Sequence, residues 1–138
     1  MELLRWKTRL SVLWVIMAVG YSAGWFLMFM MPGILEAMMA GEMPAGKPLG
    51  EGKMIMYALF WLIPIIMAVL CLSLKDSPNR WLNFVLGIIF GLFFIYEIAS
   101  RSIEGDEVSI AIWLIFIAAI IFSALIAWFS WKWPKLEA

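Results

Sequence analysis

Residues 108–131 read VSIAIWLIFIAAIIFSALIAWFSW, an apolar run without one charged side chain. A helix needs about 20 residues to cross a hydrocarbon core about 30 Å thick, so this stretch is long enough to span a bilayer. Working outward from it, residues 10–31, 54–74 and 81–100 form three further runs of the same kind. Within the four, the only charged residue is Glu97. Short segments rich in charge, Gly and Pro separate them. The expectation is an all-α membrane protein: one four-helix transmembrane bundle over residues 1–138, with a short outer interfacial helix.

Composition agrees. The chain is 65% hydrophobic and 14% charged, whereas a soluble domain is roughly half apolar and a quarter charged. There is no histidine and a single cysteine, Cys71. That removes the commonest zinc ligand, the usual haem ligand and the commonest neutral-pH general base. It also removes any internal disulfide and any site built on several thiolates. Nothing in the sequence has the pattern of a nucleophile with its base, a metal-ligand spacing or a phosphate loop, so no catalytic residue, cofactor or metal is expected and the protein reads as non-enzymatic. The methionines gathered around residues 28–56 would suit Cu(I) as soft ligands. Without histidine or an exposed cysteine to assist, they read as flexible apolar packers.

The basic residues sort by side. Arg5, Lys7, Arg9, Lys75, Arg80, Lys132 and Lys135 fall on one face, against Lys47, Lys53 and Arg101 on the other. The positive-inside rule then puts both termini and the 75–80 turn in the cytoplasm. The basic N-terminal segment resembles a signal peptide, but its apolar run is far longer than a 7–15-residue signal core. It reads as a retained first helix of a multi-pass plasma (inner) membrane protein. Trp6, Trp81, Trp128, Trp131 and Trp133 are expected as anchors on the inner side, and Trp25, Tyr57 and Tyr96 on the outer side.

Small residues mark where helices approach closely. Gly20 and Gly24 form a small-xxx-small pair in the first span, Gly87 and Gly91 a GxxxG in the third, and Ala119 and Ser123 repeat in the fourth. Such faces pack helices within a bundle or between copies, so helix packing and homo-oligomer formation are expected of them. Pro64 lies mid-way along the second span and is expected to kink it. Ser77 or Asn79 is expected to cap the third helix.

After Pro32-Gly33 the chain places Ile34, Leu35, Met38 and Met39 at helical spacing before Gly41. This pattern predicts a short amphipathic helix over 34–40 lying in the outer interface. Residues 43–52 follow as an irregular outer loop, and 32–53 is the expected contact region for a protein or lipid partner. With a formal net charge of zero, nucleic acid is not expected among the partners.

Glu97 is the acid closest to the membrane interior. Arg101 follows one turn later at the favourable Glu-before-Arg spacing, which predicts an ion pair at the outer membrane surface. An alternative gives Glu97 the acidic outer mouth of an oligomeric channel or transporter for a small cation or solute.

Several short stretches carry a resemblance. They are Leu10-Ser11-Val12-Leu13-Trp14, Pro32-Gly33-Ile34-Leu35-Glu36 with Gly41-Glu42, Asn79-Arg80-Trp81-Leu82-Asn83, and Trp128-Phe129-Ser130-Trp131-Lys132-Trp133. Together they resemble an uncharacterised family of small four-transmembrane-helix prokaryotic membrane proteins of unknown function. The resemblance implies the four-helix topology and carries no activity. That family's pattern places an acidic residue late in the first helix, where this chain has Gly24.

Overall fold

The computed structural model describes residues 2–42, 48, 50–104 and 108–133. Five helices follow one another: α1 (Glu2–Phe29), α2 (Ile34–Met39), α3 (Glu51–Ser73), α4 (Asp76–Glu104) and α5 (Ile110–Trp131). All but α2 are long and apolar enough to cross a membrane. Among the described residues the only β pairing is an isolated bridge between Glu42 and Pro48.

The long helices exceed the apolar runs that predict them, for local reasons. Helix α1 starts at Glu2 rather than near residue 10. Leu3 and Trp6 extend the buried stripe of Leu10, Leu13, Trp14 and Met17 down one face and pack on the core. Helix α4 starts at Asp76, so the connection from α3 is only Leu74-Lys75. Pro78 is tolerated there because the N–H groups of a first helical turn have no intrahelical partner. Asn79 is therefore no N-cap: its backbone N–H already donates to the Lys75 carbonyl, at 3.1 Å. Ser77 likewise lies inside the helix.

Helix α2 forms where the spacing predicts it. Gly33 (φ 82°) turns the chain out of α1, and Gly41 (φ 80°) ends α2. The Gly41 N–H donates to the Met38 carbonyl at 3.0 Å and the Glu42 N–H to the Ala37 carbonyl at 2.9 Å. These bonds make a Schellman cap, whose left-handed position favours glycine. Ile34 and Met38 are half-buried, whereas Leu35 and Met39 are exposed. The four apolar side chains thus split between the bundle and the surroundings. Most of the expected 43–52 loop lies outside the described residues.

The four long helices form a ring. Helix α1 packs on both α3 and α5, α5 also packs on α4, and α3 and α4 approach each other sparingly. Along the α3/α4 seam the gap is bridged by aromatic rings. Phe60 stacks on Phe93 with centroids 3.8 Å apart and meets Phe90 at 4.8 Å. Pro64 is buried inside α3, which is continuous through it.

The end where α1 starts and α5 finishes is tightly joined. Trp14 Nε1 donates to Asn83 Oδ1 (2.6 Å), which also accepts from the Cys71 thiol (3.2 Å). Asn83 Nδ2 donates to the Asn79 carbonyl and to Asn79 Oδ1, and Asn79 Nδ2 donates to the Cys71 carbonyl, each at 2.7 Å. Asn79 thus caps the end of α3 instead of the start of α4. All four residues are fully buried, and together they tie α1, α3 and α4. Lys7 adds a bond to the Leu74 carbonyl (3.0 Å) and an ion pair with Asp76 (3.3 Å). Arg80 donates to the Ser130 and Trp131 carbonyls at the C-terminus of α5 (3.1 and 3.5 Å), where a cation complements the helix dipole.

Candidate functional site

The opposite end, which carries α2, contains a chamber of about 200 Å³ between all four long helices. On α1 it is bordered by two glycines in different surroundings. A Cβ added at Gly20 meets nothing within 4 Å, and one at Gly24 meets only the Ile115 side chain, at 3.3 Å. Both glycines line the chamber. The second small-residue pair is used differently. A Cβ at Gly87 would lie 3.0 Å from the Ala127 backbone nitrogen and 3.2 Å from the Ser123 carbonyl oxygen, and one at Gly91 would lie 3.5 Å from Ser123 Cβ. Gly87, Gly91 and Ser123 thus belong to the α4/α5 contact, whereas Ala119, one turn before Ser123, lines the chamber.

The chamber walls are largely apolar and aromatic. Met17, Tyr21 and Trp25 come from α1, Tyr57 from α3, Phe93 and Phe94 from α4, and Phe116 and Phe122 from α5. Trp25 and Tyr57 meet edge to face at 4.8 Å. Trp25 and Tyr57, expected as outer-side anchors, are half-buried and line the chamber, while Tyr96 is exposed.

One charged pair belongs to the lining. Arg101 Nε donates to Glu97 Oε2 at 3.4 Å, and the two side chains are 19% and 24% exposed, respectively. The Arg101 guanidinium also sits 5.5 Å from the centroid of the Phe116 ring, within range of a cation–π contact. Glu97 is within electrostatic reach of Tyr21 and Tyr57. The expected Glu97–Arg101 contact is therefore present, but it is largely covered and turned to the chamber. Its setting has a physical cause: α4 continues past residue 100 to Glu104, which keeps Arg101 in regular helix above Glu97.

The remaining expected positions fall elsewhere. Met28 is buried and lines the chamber, whereas Met30, Met39 and Met54 are exposed. Met43 and Lys47 lie outside the described residues. Among the described residues no group of three His, Cys, Asp or Glu side chains converges as a metal site. Sequence reasoning missed Tyr21, Phe93, Phe94 and Phe116 as site residues. Aromatic rings inside an apolar run carry no pattern that separates chamber wall from core.

The chamber can hold an apolar body and offer it hydrogen bonds at Glu97 and Arg101. Four of the described helices are long and apolar enough to cross a membrane, the pattern of a multi-pass membrane protein. More particularly, the chain belongs to the family of unknown function DUF6326, which matches residues 1–135. No curated protein and no solved structure matches it.

Proposed function

We propose that this protein is a non-enzymatic plasma-membrane protein that holds a small ligand inside its helix bundle, with Glu97 and Arg101 as the polar contact. The observation that carries the reading is the chamber itself, bordered by Gly20, where an added Cβ would meet nothing within 4 Å. The faces offered by the sequence for self-association are occupied within the chain or line this space. The proposal therefore puts a ligand, not a second copy, at the centre of the function. The bias of Lys and Arg supports cytoplasmic termini, with the chamber in the outer half of the bilayer. Exposed Leu35 and Met39 support an α2 that rests its open side on the acyl boundary, leaving Glu36 to water.

Toluene tests the chamber without presuming a polar group. Titrated into nanodiscs, it should bind saturably to the native protein. It should show only lipid partitioning with Gly20→Phe, which places a ring where a Cβ has free space. Indistinguishable isotherms for the two proteins, with Gly20→Phe folded by circular dichroism, would remove the proposal.

A further inference from the structure

We propose that the chamber takes an uncharged single-ring compound bearing one hydroxyl or carbonyl group, its ring among the aromatic walls and its oxygen on the Glu97–Arg101 pair. This rests on the ligand-holding reading above and gives it a chemical class.

Size sets the first limit. A volume of about 200 Å³ exceeds the ~150 Å³ of an apolar cavity that admits benzene. It falls short of the ~300–1,000 Å³ of sites for drug-sized ligands. The volume matches one ring with a substituent.

Charge sets the second. Glu97 and Arg101 are the charged residues of the lining, and together they are neutral. An anion would gain Arg101 but meet Glu97 as well, and would leave a net charge among apolar walls. A cation has the mirror-image difficulty. Uncompensated charge in such a setting is costly, so the balanced pair favours a neutral guest.

Hydrogen-bonding chemistry sets the third. A guanidinium has five N–H donors, of which the Nε–H is engaged by Glu97. The carboxylate accepts only. A hydroxyl can donate to Glu97 and accept from Arg101 at once, and a carbonyl can accept from Arg101. A hydrocarbon ring does neither. The walls supply the rest: the aromatic side chains of Trp25, Tyr57, Phe93 and Phe116 line the chamber from four different helices, and aromatic walls suit an aromatic guest.

Two sources share this chemistry: a free small phenol or ketone, and the ring head of a membrane-dissolved lipid. The experiment compares 4-methylphenol, toluene, benzoate and benzylammonium on the full-length protein in nanodiscs. Gly20→Phe in the same nanodiscs serves as the partition blank, with Gly20→Leu in its place should the larger residue prevent folding. A hydrogen bond to a charged group corresponds to about tenfold in affinity or more. 4-Methylphenol should therefore bind about tenfold tighter than toluene, and both charged probes should bind more weakly than 4-methylphenol. Glu97→Gln, which leaves Arg101 uncompensated, should move the preference toward benzoate. 4-Nonylphenol separates the sources: tighter binding than 4-methylphenol assigns a tailed, membrane-borne guest, and equal or weaker binding a free one. Equal affinity for toluene and 4-methylphenol, or tightest binding of a charged probe, overturns the class while leaving chamber binding in place. Failure of every probe, toluene included, removes the ligand-holding reading itself.

Discussion

The two ends of this bundle use the same residue types for opposite purposes. Along α4/α5, where the bundle is closed, a small residue is met by its neighbour: a Cβ added at Gly87 would lie 3.0 Å from the Ala127 backbone nitrogen and 3.2 Å from the Ser123 carbonyl oxygen, closer than van der Waals contact. At the α2 end, Gly20 faces emptiness. The polar residues divide in the same way. Trp14, Cys71, Asn79 and Asn83 make their hydrogen bonds to one another and to backbone carbonyls. Glu97 and Arg101 share one bond and border open volume. A closed end and an open end on one scaffold teach that a small-residue motif specifies close approach or vacancy, and that its opposing helix decides which.

The sharpest way to break this contrast is at Gly87. A leucine there has little route to relax, because two of the three nearest atoms, Ala127 N and Ser123 O, are α5 backbone. Overpacking of this kind costs about 1–3 kcal/mol and occasionally more. Gly87→Leu should sit at or above the top of that range, read as a lowered midpoint in detergent-induced unfolding.

A smaller loss is expected from Asn83→Leu, which strips two donors, the Trp14 indole N–H and the Cys71 thiol, of their acceptor. Each buried group left unpaired costs about 1–3 kcal/mol. Part of that is offset by the apolar replacement, so a net loss of about 2 kcal/mol is expected. Unfolding followed through tryptophan emission measures it. A neutral result would mean that this polar cluster contributes nothing beyond packing.

The smallest effect belongs to Gly20→Ala. The methyl enters free space, and alanine is favoured over glycine inside a helix by about 0.5–1 kcal/mol. The variant should be at least as stable as the native chain while narrowing the chamber. If Gly20→Ala were as damaging as Gly87→Leu, the two ends would not differ as described.

Much of the fold was legible because length and hydropathy alone separate a spanning helix from other elements. The break at Pro32-Gly33 and the Gly41 stop were legible because left-handed backbone conformations favour glycine. Helix ends were less so: Leu3 and Trp6 sit among charges that mask their place on the buried stripe. The Asn79 role was misread because a residue three positions into a helix can cap the preceding helix when the connection is two residues long. The site was only partly visible. Glu97 and Arg101 stood out by charge and spacing, but the volume beside them comes from how four helices are set against one another. No single run encodes that, and Gly20-x-x-x-Gly24 and Gly87-x-x-x-Gly91 look alike on the page.

The only native thiol has a consequence for how this molecule can be probed. Cys71 is fully buried and hydrogen-bonded to Asn83, so a water-soluble maleimide reaches it only when α1, α3 and α4 part. In the intact bundle it is silent. A cysteine placed at exposed Glu36 or Ser77 is then the sole reactive handle, and the sidedness of each end can be read on an otherwise unaltered chain. The same silence turns into a signal on opening: the labelling rate of Cys71 is a built-in clock for separation of the closed end, independent of whatever occupies the other.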